Sequence, residues 1–296
     1  MVLSAFAFSV MTVFVKLAGQ RLPWQELVAA RALITLVLSY LTLVRHGIAV
    51  LGQRRKLLIA RGLFGFAGLA SVYYAVTRLP LAEATVIQYL HPPFTALLAA
   101  LVLRERFERR VLVSMALGIV GLVLVAQPAA LFGRAAVPLD PGGLTAAFLG
   151  AFFSACAYVV VRKLGASEHP LVIVFYFPLV ALPAAMPALV AHALMPRGIE
   201  WLWLLLLGVF TQIGQVAITR GLASAAAGRM VAYSYVQVLF AALWGALLFH
   251  ELPSPLSLLG AALIVGGALF NLHSSVRKTS LVATTERAQP GEREPS

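Results

Sequence analysis

Charge is scarce in this chain. Only 11% of its 296 residues are Asp, Glu, Lys or Arg, against 61% hydrophobic residues and a mean hydropathy of +0.91. One water-facing globule of this size cannot bury so much apolar surface, so the composition excludes an ordinary soluble domain and requires surrounding lipid. Cysteine is rarer still: Cys156 has no partner for an intrachain disulfide and reads as a small packing residue. No Cys/His cluster has metal-ligand spacing, no glycine-rich phosphate loop follows a strand, and no serine sits in a nucleophile elbow. A metal site, a bound cofactor and soluble-type catalysis therefore have no support.

What the chain does have is long apolar runs. A bilayer-spanning helix takes ~20 mainly apolar residues, and such runs fall at 2–18, 24–44, 57–77, 81–103, 109–127, 142–163, 170–194, 201–222, 226–249 and 254–276. They stay apolar on consecutive positions, as in LLAALVL and WLWLLLLGVF, which excludes the alternation of a membrane β-barrel. The predicted fold class is an all-α membrane protein of about ten transmembrane helices. The first run lacks a basic leader and continues through Lys16 into the bundle, so it reads as a retained helix rather than a cleaved signal.

The net charge of +12 is spread along the chain and reports topology rather than a nucleic-acid partner. Basic residues gather at alternate helix ends: Arg45, Arg54, Arg55, Lys56 and Arg61; Arg104, Arg106, Arg109 and Arg110; Arg162 and Lys163; Arg220 and Arg229; then Arg277, Lys278, Arg287 and Arg293. The opposite ends carry only Lys16, Arg21, Arg78, Arg134 and Arg197, and Arg31 falls inside a helix. The positive-inside rule then predicts both termini in the cytoplasm.

The chain also repeats itself. YLHPPFTALLAALVLRE (Tyr89 to Glu105) and YVQVLFAALWGALLFHE (Tyr235 to Glu251) share seven residues at a constant offset of 146, among them Tyr89/Tyr235, Phe94/Phe240 and Glu105/Glu251. Thr77-Arg78 recurs as Thr219-Arg220, Phe8-Ser9 as Phe153-Ser154, and Ile119-Val120-Gly121 as Ile264-Val265-Gly266. Five helices per half is an odd number, so the second half enters the membrane from the opposite side and the repeat is inverted. The expected organisation is a first five-helix repeat over 1–127, a join at 128–141, a second repeat over 142–276, and a disordered cytoplasmic tail over 277–296.

With the repeat, the segment RGLFGFAGLASVYYAVTRLPLAEATVIQYLHPPFTALLAALVLRE from Arg61 to Glu105 resembles EamA-type members of the drug/metabolite transporter superfamily. The resemblance covers residues 1 to about 276 and is most specific across the third and fourth helices. It departs from the pattern in the second half, which lacks prolines at the positions of Pro92 and Pro93, and at the first helix, which starts almost at Met1 without the usual short leader, as if a few terminal residues were missing. The resemblance implies a secondary carrier of the inner membrane that moves an amino acid or related small organic solute, often outward. It implies a small-molecule substrate and a lipid bilayer as partners, and is compatible with a homodimer.

Polar groups far from both membrane ends are the candidates for the translocation path, because each is expensive in hydrocarbon. His91 lies midway between Pro80 and Arg104 and reads either as a substrate-binding, proton-coupling group or as a neutral histidine bonded to a neighbouring helix. Pro92 and Pro93 remove two backbone donors and free carbonyls near Gln88 and Tyr89, a kink that either aims carbonyls at substrate or only shapes packing. Gln88 with Tyr89, and Gln237 with Tyr235, bracket one depth in the two copies, and Gln237 takes the place of His91. Tyr73, Tyr74, Gln212 and Gln215 are further candidates for the same wall. Arg31 is about two turns inside the second helix, off the face of Glu26, and has a gating or structural role; Glu83 reads as a gate or as a helix-start acid stabilised by the macrodipole. Competing classes are an intramembrane transferase using His91 with Glu83, and a passive channel.

Overall fold

Long apolar runs without water to solvate their peptide groups have one economical solution, which is to bond each N–H to a carbonyl one turn back. The computed structural model shows that solution throughout, and it describes residues 1–79, 81–105, 108–129, 131–133, 139–192, 194–249 and 254–270. The helices are α1 (Val2–Ala18), α2 (Trp24–Arg45), α3 (Arg55–Arg78), α4 (Leu81–Gln88), α5 (His91–Leu103) and α6 (Arg109–Ala126) in the first part of the chain. The second part holds α7 (Pro141–Leu164), α8 (Pro170–His192), α9 (Glu200–Ser224), α10 (Ala227–Val231), a 3₁₀ turn (Ala232–Tyr235), α11 (Val236–Phe249) and α12 (Pro255–Phe270). Among the described residues eight stretches are long and apolar enough to cross a membrane, while α1 and α12 are shorter apolar helices. The chain is an all-α membrane protein of about ten spans. Glu251, Arg106, Arg134 and the tail from 271 lie outside the described residues, as does the side chain of Glu83.

The helix boundaries have local causes. Asp140 caps α7 by accepting the Gly143 N–H at 2.7 Å, and Pro141 starts the helix where no N–H is needed. The loop between α2 and α3 is pinned from across the molecule: Glu168 accepts the N–H groups of Gln53 and Arg54, and the Tyr176 hydroxyl donates to the Leu51 carbonyl at 2.7 Å. A buried glutamate is costly unless bonded, and this one is bonded to two backbone donors.

Packing follows the internal repeat. α1 lies along α9 and α3 lies along α7, and exchanging the two halves maps the first pair onto the second; α2 packs on α8, a pair that maps onto itself. Close approach at these seams depends on small residues. A Cβ on Gly121 would sit 2.5 Å from the Gly260 carbonyl oxygen, so α6 and α12 meet backbone to backbone. Outward faces carry exposed Leu33, Val37, Leu101, Leu205 and Leu247, as helices facing acyl chains require.

The fourth and ninth spans are each interrupted, within about a turn of the matching residues Tyr89 and Tyr235. In the first copy α4 stops at Gln88 and α5 begins at His91, with Pro92 and Pro93 in its first turn. The sequence suggested a kinked continuous helix; the prolines instead open a new helix, the position where a missing N–H costs least. In the second copy the 3₁₀ turn Ala232–Tyr235 does the same work without any proline. The two breaks brace each other. Pro93 cannot donate to the Tyr89 carbonyl, and the Tyr235 hydroxyl does so instead at 3.0 Å. The His91 carbonyl is taken by the Thr95 hydroxyl at 2.7 Å.

Candidate functional site

The broken spans face a cavity of about 290 Å³ at mid-depth, at the small end of the range for ligand pockets. The first half contributes Phe8 and Met11 from α1, Arg31 from α2, Arg61, Gly65, Gly68, Leu69 and Val72 from α3, and Gln88, Tyr89 and His91 from the break. The second half contributes Ser154, Ala157 and Tyr158 from α7, Phe177 from α8, Gln215 from α9 and Gln237 from α11. Arg31 and Arg61 lie seven and six residues inside Trp24 and Arg55, more than a turn from the nearest helix end, and Gln88, His91 and Gln237 lie at the breaks within the interrupted spans.

Of the residues singled out in the sequence, the cavity gathers His91, Gln88, Tyr89, Gln215, Gln237 and Arg31. His91 is 7% exposed, its ring 5.4 Å edge-on from Tyr158 and 5.8 Å from Tyr89, and its Nδ1 has no hydrogen-bond partner. The Gln88 amide nitrogen donates to the Ser154 hydroxyl at 3.3 Å, leaving its Oε1 buried without a partner. His91 and Gln237, equivalent in the repeat, look into one space from opposite halves.

Three substrate-binding candidates lie off the cavity. Tyr235 is buried behind the wall, its ring against Gly118 and its hydroxyl donating to the Tyr89 carbonyl, so it braces the break from outside the cavity lining. Gln212 exchanges hydrogen bonds of 2.9 and 3.1 Å with Ser39, which satisfies its amide as a clasp between α2 and α9. Tyr74 is 46% exposed, with the Arg78 guanidinium 5.3 Å over its ring. Tyr73 stacks on Trp24 at 5.2 Å and lines a separate apolar hollow that shares Leu69 with the main cavity. Pro92 is buried and Pro93 half-buried at the start of α5, beside the cavity rather than in its wall.

Arg61, Ser154, Tyr158 and Phe177 join the wall without having been anticipated. Arg61 read as one more cation flanking a basic loop, yet it is six residues into α3 and only 3% exposed. Its guanidinium occupies space that a Cβ on Gly65 would take, and lies 4.9 Å over the Phe177 ring. An arginine more than a full turn inside a span, with glycine four residues on, was the available signal. Ser154, Tyr158 and Arg162 recur every fourth residue, a polar stripe along α7 visible in the 3.6-residue period.

At the basic end of the bundle a second cluster joins the halves. Glu105, just past α5, accepts from Arg162 Nε of α7 at 2.7 Å and from the Ala227 N–H of α10 at 2.9 Å. Glu108 pairs with Arg229 at 2.8 Å, and Arg162 also donates to the carbonyls of Leu222 and Ala223. Among the described residues no group of three His, Cys, Asp or Glu is placed to hold a metal ion.

The EamA-like transporter family model matches residues 1–127 and 141–272. The chain belongs to this family. EamA-like relatives include the pseudopaline exporter CntI of Pseudomonas aeruginosa, 35% identical over 265 residues that cover 89% of this chain and 91% of that protein. Solute carrier family 35 member G1 of Homo sapiens is 29% identical over 287 residues, covering 93% of this chain and 78% of its own length. A protein of known crystal structure superposes with a TM-score of 0.78 at 22% identity, covering 93% of this chain and 98% of its own, a likeness of fold. This EamA-like chain is therefore a membrane transporter, and membership of a transporter family removes the intramembrane transferase from consideration.

Proposed function

We propose that the protein is a secondary carrier of the bacterial inner membrane, exporting or exchanging an amino acid or related small metabolite by alternating access. The observation that carries this reading is the polar cavity at mid-depth, walled by both halves and flanked by a broken helix from each. A site shared between two related bundles is exposed to either side when one bundle rocks against the other. His91, Gln88, Tyr89, Gln215 and Gln237 contact the substrate in this reading, and Arg31 belongs with them rather than with a gate. The repeats are taken as 1–127 and 142–276, with both termini cytoplasmic as the basic loops suggest. The Glu105 cluster then closes the cytoplasmic mouth. His91 is the group assigned to proton coupling, since its imidazole lies in the wall with Nδ1 unsatisfied.

Reconstitution into liposomes tests the proposal. Radiolabelled amino acids and related solutes should show saturable flux and counterflow, both reduced by His91→Ala or Gln237→Ala. Flux linear in concentration without counterflow would replace the carrier with a channel. Flux that ignores an imposed pH gradient would remove the coupling role of His91 and leave the carrier standing.

A further inference from the structure

Five of the described arginines divide into two groups. Arg21, Arg162 and Arg229 each meet a carboxylate: Glu200, Glu105 and Glu108 respectively. Arg31 and Arg61 do not. The Arg31 side chain makes no hydrogen bond among the described residues, and Arg61 makes a single long one, from Nη2 to Gln215 Oε1 at 3.3 Å. The Nε atoms of both are buried without partners. Both guanidiniums instead gather at the Phe177 ring, 5.9 and 4.9 Å from its centroid. A cation at this depth has to reach an interface, pair with an acid or line a polar path, and uncompensated burial is destabilising. Cation–π contact with one shared ring offsets little of that cost.

The same cavity holds two further unsatisfied atoms. Gln88 Oε1 and His91 Nδ1 lack partners, and no carboxylate lines the cavity among the described residues. Two unpaired cations without a counter-charge, beside an orphaned amide oxygen, form the negative image of a ligand: anionic oxygens on one part and an N–H or O–H donor on another. Guanidiniums match carboxylates in planar, charge-assisted geometry. We propose that the substrate is an organic anion whose carboxylates are held by Arg31 and Arg61, with a donor group presented to Gln88. This rests on the carrier reading above, because the cavity has to be the substrate site. The charge pattern also gives selectivity: a cationic solute would be repelled by both arginines and find no acid.

A single thiol in the cavity measures its potential without knowledge of the natural ligand. In a Cys156→Ser background, Gln237→Cys is modified in membrane vesicles of both orientations with an anionic sulfonatoethyl and a cationic trimethylammonioethyl methanethiosulfonate. Each rate is normalised to that with free mercaptoethanol. Two positive charges lining a confined cavity should favour the anionic reagent by roughly tenfold. The preference should fall towards unity in Arg31→Gln/Arg61→Gln and persist in Arg31→Lys/Arg61→Lys, which also controls for folding. Glutarate should slow modification and putrescine should not. Equal rates, a cationic preference, protection by putrescine instead of glutarate, or a preference that survives loss of both charges would overturn the anion inference while leaving the carrier reading intact. Failure of both reagents from both sides would mean the cavity is not a solvent-accessible site, and would remove both readings together.

Discussion

If the basic end of the bundle is the cytoplasmic one, as proposed above, Glu105→Gln should loosen it in a measurable proportion. The carboxylate accepts two bonds from the other half, Arg162 Nε at 2.7 Å on Oε1 and the Ala227 N–H at 2.9 Å on Oε2. A hydrogen bond to a charged group contributes roughly 1.5–3 kcal/mol. Here the Arg162 and Glu105 side chains are 27% and 17% exposed, so solvent screening puts the pair at the lower end of that range. Glutamine keeps one acceptor and loses the charge, and Arg162 retains the Leu222 and Ala223 carbonyls as partners. The net loss is about 1 kcal/mol, which multiplies the population open at this end by roughly fivefold. Modification of Gln237→Cys by an impermeant thiol reagent reports it: the rate in inside-out vesicles should rise about fivefold, and the rate in right-side-out vesicles should not rise. An unchanged inside-out rate, or an increase confined to the outer face, would refute the Glu105 cluster as the cytoplasmic closure.

Tyr235→Phe should destabilise the protein in detergent by about 1–2 kcal/mol, because it strips the Tyr89 carbonyl of its donor where Pro93 has none to offer; denaturant titration beside an exposed control, Tyr40→Phe, measures the difference. Gly121→Leu should impair folding or expression, since even a Cβ there lies 2.5 Å from the Gly260 carbonyl oxygen, while Gly266→Ala should be neutral because nothing lies within 4 Å of its Cβ position; thermal unfolding of the two variants makes the comparison. Gln212→Leu should lower stability through loss of its bonds to Ser39 yet leave ligand protection of the Gln237→Cys thiol unchanged, and altered protection would place Gln212 in the site after all.

The sequence made the spans legible because lipid imposes one rule on every backbone group, and runs such as Trp24–Arg45 and Arg109–Ala126 satisfy it over their whole length. The interruption before His91 was visible through its prolines. Its counterpart at Ala232–Tyr235 was not, since nothing in AYSY forbids a continuous helix; only the repeat alignment with Tyr89 marks the position. Depth along a helix was readable, which brought His91, Gln88, Gln215 and Gln237 into consideration. Facing was harder, because it depends on which neighbour each side chain meets. Gln212 and Gln215 differ by three positions, yet one clasps Ser39 and the other borders the cavity. Arg61 was hidden by its company: next to Arg54, Arg55 and Lys56 it looked like topology, and only the packing of α3 on α8 shows it turned inward.

The two interrupted spans are unequal in a way that bears on how the molecule moves. Where prolines supply the break, the missing donors are a covalent fact and no rearrangement restores them. In the partner copy each residue from Ala232 to Tyr235 keeps its own N–H, so tightening or relaxing that turn exchanges one carbonyl acceptor for another and strands none. Such a change would swing the Tyr235 hydroxyl relative to Tyr89 and pull on the rigid elbow opposite. In the carrier reading proposed above, a hinge would therefore belong at Ala232–Tyr235 rather than at the proline-bound break.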